Sequence, residues 1–180
     1  MNIIQLPFLL ILDRDGVIFE HIDPYILRDE DVKLIPGSLD AIVAFAKRGV
    51  KLAVVTNQSP IGRKLVAREF VERINNNLIE MFARNGAKDI SIYYCPHTPI
   101  DGCSCRKPNI GLLELAAAKY NISLLQAWMV GDHETDIEAG CIAGVQKAIQ
   151  LLSGRQKTIS PKASLVFGNL KELAFYCGVL

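Results

Sequence analysis

The chain predicts a three-layer α/β/α protein with a mainly parallel central sheet. Three observations predict it. Short apolar runs rich in β-formers alternate with helical patterns, the rhythm of a parallel sheet covered on both faces. With 180 residues, half of them hydrophobic, residues 1–180 suffice for one domain with a full core. Polar clusters follow the apolar runs directly, at the strand carboxyl ends where such sheets bind ligands.

The elements follow in order. The opening MNIIQLPFLLILD is apolar, but it lacks a basic leader and a small-residue cleavage site and is too short to span a bilayer. It reads as a buried strand over 8–12, with cytoplasmic localisation expected. KLAVV (51–55), DISIYY (89–94) and AWMV (127–130) read as further strands, KAIQLL (147–152) as a fifth and SLVF (164–167) as a sixth. Helical patterns cover 38–49, with Ser38 as N-cap and Gly49 as stop, then 66–86, 111–121, 135–144 and 169–178. Cys141 and Cys177 lie on two of these patterns and are expected in the core.

Strand one runs into DRDGV, strand two into TNQS, strand three into a Cys/His loop ending in RKP, and strand four into GDHETD. A parallel sheet brings all four to one edge. In an extended segment Asp13 and Asp15 share a side. Paired carboxylates repel, and a hard divalent cation such as Mg²⁺ relieves the repulsion, with Asp132 as a further ligand. Thr56, Asn57, Gln58 and Ser59 offer hydroxyl and amide groups to phosphate oxygens, and Lys107 offers a cation. At about 4 Å a carboxylate and a phosphate charge repel by on the order of 4 kcal/mol per pair at an effective dielectric near 20, a term that metal and lysine offset. An ionised Asp13 can attack phosphorus, while Asp15 protonates the leaving oxygen and then deprotonates water.

Cys95, His97, Cys103 and Cys105 form a Cys₃His set within eleven residues. That set suits closed, four-coordinate structural Zn²⁺, in a loop spanning 95–107. The net charge of +1 argues against a broad nucleic-acid or anionic-membrane surface. A zinc-finger module for nucleic acid would need a basic recognition helix, and GLLELAAAKYN is not one. A non-catalytic zinc-binding protein is the other alternative, against which stand intact DRD, Lys107 and Asp132.

LDRDGV, TNQS, RKP and GDHETD resemble, in order, the four motifs of haloacid-dehalogenase-type (HAD) phosphatases, from Phe8 to about Gly144. The resemblance implies a Rossmann-like, capless fold and a Mg²⁺-dependent phosphomonoesterase. By motif position Asp13 is the nucleophile, Asp15 the general acid/base, and Thr56 and Lys107 stabilise the phosphoryl group. Asp132 completes a Mg²⁺ site that uses Asp13 and the Asp15 carbonyl, and Asp136 is a supporting carboxylate. TNQS with the C-x-H…C-x-C-R-K-P segment is similar to the D-glycero-D-manno-heptose-1,7-bisphosphate 7-phosphatases, cytoplasmic enzymes of heptose precursor synthesis for lipopolysaccharide or surface glycans. Histidinol-phosphate phosphatases, with a similar zinc loop, are the alternative. The resemblance places substrate contacts at Asn57, Gln58, Ser59, Arg63 and Arg106, and at His21, Asp23, Tyr25 and His133. Val17, Pro60 and RKPNIGL depart from the usual Thr, Gly and RKPxPGM, and Pro60 sits in the substrate-facing loop. A small phosphorylated sugar is the expected partner, and a monomer the expected state.

Overall fold

Apolar residues on both sides of each central strand force a sheet with two covered faces. The structure, a computed structural model, describes residues 4–180. The first three residues of the opening apolar run lie outside the described residues. Six parallel strands form one sheet in the order β3-β2-β1-β4-β5-β6. They are β1 (Leu9–Leu12), β2 (Lys51–Asn57), β3 (Ser91–Cys95), β4 (Ala127–Gly131), β5 (Lys147–Leu151) and β6 (Leu165–Phe167). The helices are α1 (Ser38–Lys47), α2 (Ser59–Gly62), α3 (Arg68–Arg84), α4 (Gly111–Tyr120), α5 (Glu134–Ile142) and α6 (Leu170–Tyr176).

All four residues of β1 are at most 1% exposed, and their alternation divides the core. Leu10 and Leu12 join Val54, Trp128 and Val130 against α1, α3 and α6. Leu9 and Ile11 join Ala53, Val55 and Met129 against α4 and α5. Each large aliphatic chain buried this way contributes roughly 1.5–3 kcal/mol. Among the described residues no helix is long and apolar enough to cross a membrane.

The chain runs outward from β1 to β3, then crosses back to place β4 on the other side of β1. The connections reverse between β1 and β4, and the crevice at their carboxyl ends is where such sheets bind ligands. The register pairs Leu12 with both Val54 and Val130, so Asp13 and Asp132 leave neighbouring strands almost level.

Three local expectations change. Gly37, not Ser38, is the N-cap of α1, because its φ of +82° suits glycine. Ser38 starts the helix, and its hydroxyl donates to the Ile18 carbonyl at 3.1 Å. Cys141 is exposed rather than in the core, since α5 turns it away from β4 and β5. Cys177 is half-buried against the main cluster. The short helix α2 has no apolar period of its own, so its sequence alone predicts a loop.

Candidate active site

The carboxyl edge of the sheet opens into a cavity of about 200 Å³. Asp13, Asp15, Thr56, Asn57, Gln58, Arg106, Lys107, Asp132, His133 and Asp136 line it, so all four polar clusters converge there. At its floor Lys107, 2% exposed, donates to Asp13 Oδ1 at 2.6 Å and forms an ion pair with Asp136 Oδ1, also at 2.6 Å. It also donates to the Val55 carbonyl at 2.8 Å, so three protein oxygens surround the ammonium. Contact between this ammonium and a phosphoryl oxygen would therefore replace one protein bond.

Asp13, Asp132 and Asp136 each bring a carboxylate oxygen within 4.8 Å of the others, and all three are buried. Three formal negative charges against one ammonium leave an excess of two, the charge of one divalent cation. The energetics agree. Burial, reinforced by Asp136, Asp132 and Asp15, raises the Asp13 carboxyl well above its ordinary value despite Lys107. Burial, then the charge of Asp136, pushes Asp132 up to about 7. Burial alone would lower the Lys107 ammonium, but Asp13 and Asp136 more than offset it and hold the group charged. A buried anionic set facing a cavity is a site that a hard cation fits.

Local sequence explains why these groups stay in place. Asp136 is the third residue of α5; its Oδ2 accepts the His133 backbone N–H at 3.1 Å, closing a capping box. Its other oxygen faces Lys107. The Asn57 side chain clamps the backbone of Lys107: its Oδ1 accepts from Lys107 N at 3.0 Å and its Nδ2 donates to Lys107 O at 3.1 Å. Gln58 Nε2 donates to Asp15 Oδ2 at 2.8 Å and to Thr56 Oγ1 at 2.9 Å. These two amides, expected as substrate contacts, each spend two hydrogen bonds on holding the other clusters.

The Cys/His loop closes beside this floor. Cys95, His97, Cys103 and Cys105 bring ligand atoms together, with sulfur pairs at 3.1–3.5 Å and His97 Nδ1 at 3.3–3.5 Å from Cys105 and Cys95. A tetrahedral zinc with ordinary bond lengths sets ligand pairs about 3.6–3.8 Å apart, so the four atoms already outline its shell. Burial raises the Cys95 and Cys105 thiols. Burial also works against the Cys103 thiolate, but the Arg106 backbone N–H and the neighbouring thiols bring it down to about 7. Arg106 follows the last ligand directly, and its Nη1 donates to the His97 carbonyl at 3.2 Å.

The haloacid dehalogenase-like hydrolase family matches residues 4–144. This chain belongs to it. A D-glycero-beta-D-manno-heptose-1,7-bisphosphate 7-phosphatase of Pseudomonas putida is 40% identical over 169 residues, covering 92% of this chain and 97% of that one. The enzyme of that name from Pseudomonas aeruginosa is 37% identical, covering 92% and 95%. The solved D,D-heptose 1,7-bisphosphate phosphatase of Bordetella bronchiseptica, complexed with magnesium and phosphate, superposes with a TM-score of 0.84 at 29% identity, covering 93% and 96%.

In this haloacid dehalogenase-like hydrolase the expected substrate contacts divide. His21, Tyr25, Arg106 and His133 line the cavity, and Pro60 lies at its wall. Among the described residues His21 Nε2 is buried without a partner, and burial, then Arg155, lowers its pKa. Ser59, Arg63 and Asp23 are not among the lining residues. Ser59 is buried under Tyr25, while Arg63 caps α2 and points to solvent. Asp23 is exposed and reaches Arg155 at 4.0 Å.

A loop after β5 went unread. Ser153 Oγ donates to the Gly16 carbonyl at 2.7 Å, Arg155 N donates to Asp132 Oδ2 at 2.9 Å, and Gln156 Oε1 accepts from Glu134 N at 2.8 Å. Asp132 is wedged between two glycines: an added Cβ would stand 2.5 Å from its Cγ at Gly16 and 1.9 Å from its Oδ2 at Gly154. The signal available was SGR directly after a strand, at the same edge as the other clusters.

Proposed function

We propose that this phosphoric monoester hydrolase removes the C7 phosphate of D-glycero-beta-D-manno-heptose 1,7-bisphosphate through an aspartyl-phosphate intermediate, in heptose precursor synthesis. The observation that carries the proposal is the buried Asp13–Lys107–Asp136–Asp132 cluster at the β1/β4 carboxyl ends, opening into the cavity. The substrate assignment is supported by relatives of that name at 33–40% identity over nearly the whole chain.

An Asp13 oxygen attacks phosphorus, and the bond from phosphorus to the sugar oxygen breaks. The departing oxygen takes a proton from Asp15. Asp15 then takes a proton from water, whose oxygen attacks phosphorus. The Asp13–phosphorus bond breaks, releasing inorganic phosphate and restoring an ionised Asp13 and a protonated Asp15. Thr56 and Lys107 bind phosphoryl oxygens, and Asp136 anchors Lys107. A magnesium ion held by Asp13, Asp132 and the Asp15 carbonyl would neutralise phosphoryl charge. A structural zinc on Cys95, His97, Cys103 and Cys105 would fix the loop that ends in Arg106 and Lys107. His21, Tyr25, Arg106 and His133 are proposed to contact the sugar or its second phosphate, inside a cytoplasmic monomer.

The test is phosphate release from both anomers of the heptose bisphosphate, histidinol phosphate and a generic ester. The β-anomer should give the highest kcat/KM. Preference for histidinol phosphate would overturn the substrate assignment, and no release from any ester would overturn the enzyme.

A further inference from the structure

The middle residue of DRD is a charged side chain with nowhere to go. Arg14 is 1% exposed. Burying a guanidinium so completely is costly unless its donors are matched. Three are matched. Nε donates to Asp15 Oδ1 at 3.0 Å, Nη2 to Asp15 Oδ2 at 3.0 Å, and Nη1 to Asn75 Oδ1 at 2.8 Å. The Phe19 ring lies 5.6 Å from the guanidinium carbon and closes one face.

Asn75 is itself out of place by composition. On α3 the buried stripe is Val71, Ile74, Leu78 and Phe82, and Asn75 is the polar member of that stripe at 5% exposure. Its carbonyl oxygen meets Arg14 rather than solvent. Asp15 differs from its two neighbours: its side chain remains 25% exposed and lines the cavity. The fork therefore grips Asp15 from the protein side and leaves it open on the cavity side.

The bonding also distinguishes the two oxygens of Asp15. Oδ2 accepts from Arg14 Nη2 and from Gln58 Nε2, which uses both of its lone-pair directions. Among the described residues Oδ1 accepts only from Arg14 Nε and keeps one direction free.

We infer that Arg14 and Asn75 are positioning residues for the acid/base step: α3, through Asn75, fixes the Arg14 fork, and the fork presents Asp15 Oδ1 as the proton-carrying atom. The inference rests on Asp15 being the general acid/base. It concerns orientation, which a bidentate fork supplies and a lysine point charge does not.

The test separates proton transfer from the rest of the reaction. An alkyl phosphate such as a sugar phosphate needs a proton on its leaving oxygen, whereas p-nitrophenolate leaves without one. Arg14→Met keeps volume and removes the fork. Asn75→Leu keeps Arg14 and removes only its anchor, so it serves if the first variant does not fold. Single-turnover phosphorylation by a sugar phosphate should fall about 100-fold in Arg14→Met, part of the 10²–10⁴ that general acid–base catalysis contributes. Asn75→Leu should lose less. The p-nitrophenolate burst should keep its rate within about threefold in both, and KM should barely move, because the fork touches neither phosphate nor sugar. Asp15→Asn is run beside them. If it discriminates between the two leaving groups and folded Arg14→Met and Asn75→Leu do not, the positioning role is wrong and Asp15 stands. If Asp15→Asn treats both substrates alike, the acid/base assignment fails and takes the inference with it.

Discussion

Gly154→Ala should weaken the proposed magnesium site without replacing any of its proposed ligands. An added Cβ would stand 1.9 Å from Asp132 Oδ2, 2.3 Å from its Cγ and 2.5 Å from its Cβ. Gly16 crowds the same carboxylate, since a Cβ added there would stand 2.5 Å from its Cγ. Either Asp132 or the loop must yield by roughly 1 Å, a displacement that can cost on the order of 100-fold in a preorganised site. The 2.9 Å bond from Arg155 N to Asp132 Oδ2 is lost in either case. Loss of such outer support typically weakens metal binding about 10–100-fold, or about 1.4–2.8 kcal/mol. Calorimetric titration of Mg²⁺ into metal-free protein reads the change, and a thermal melt checks that the variant is folded. A folded variant binding Mg²⁺ within about twofold of the unchanged chain would refute the proposal that this loop holds a magnesium ligand in place.

Other outcomes follow from the same geometry. Lys107→Met leaves two buried carboxylates facing an apolar chain; breaking a buried pair this way costs about 3–5 kcal/mol, measured by urea unfolding, and unchanged stability would contradict the burial argument. Asp132 has a folded pKa of about 7 against an ordinary 3.8, so without metal its contribution to stability falls as pH rises between those values and is level above them. Metal-free protein should therefore lose stability across that window relative to Asp132→Asn, and parallel pH profiles would contradict it. Cys105→Ser should lose about one zinc per chain by elemental analysis and lose activity with it, because Arg106 and Lys107 follow that ligand directly. Full activity after verified zinc loss would show that the loop does not need its metal.

The legible part of this protein is what periodicity and strand ends encode. Apolar runs located all six strands, and the polar residue after each of the first four located the site, because a parallel sheet leaves one edge for all of them. Asp13, Lys107, Asp132 and Asp136 could be found this way since each stands at a strand end or in a short segment after one. Partnerships across the sequence were not legible. Nothing in TNQS says that Asn57 spends its amide on the Lys107 backbone, fifty residues away. Arg14 was the unread letter between two aspartates, and its partner Asn75 lies 61 residues on, where a polar residue in an apolar stripe was the one available hint. The glycines around Asp132 carry no side chain to advertise them, and only their distance to its carboxylate reveals the wedge. Arg63 and Asp23 are placed by resemblance alone; the turn of α2 and the exposure of the Asp23 side chain put them outside the cavity lining.

Asp13 is proposed to carry the phosphoryl group during turnover. Rapid acid quench of the protein during turnover, followed by peptide mass spectrometry, tests it directly. One phosphoryl group should appear on the peptide containing Asp13 and be absent from Asp13→Asn, which should be folded and inactive. Near-normal phosphate release by Asp13→Asn, or a phosphoryl group trapped on another residue, would contradict the account.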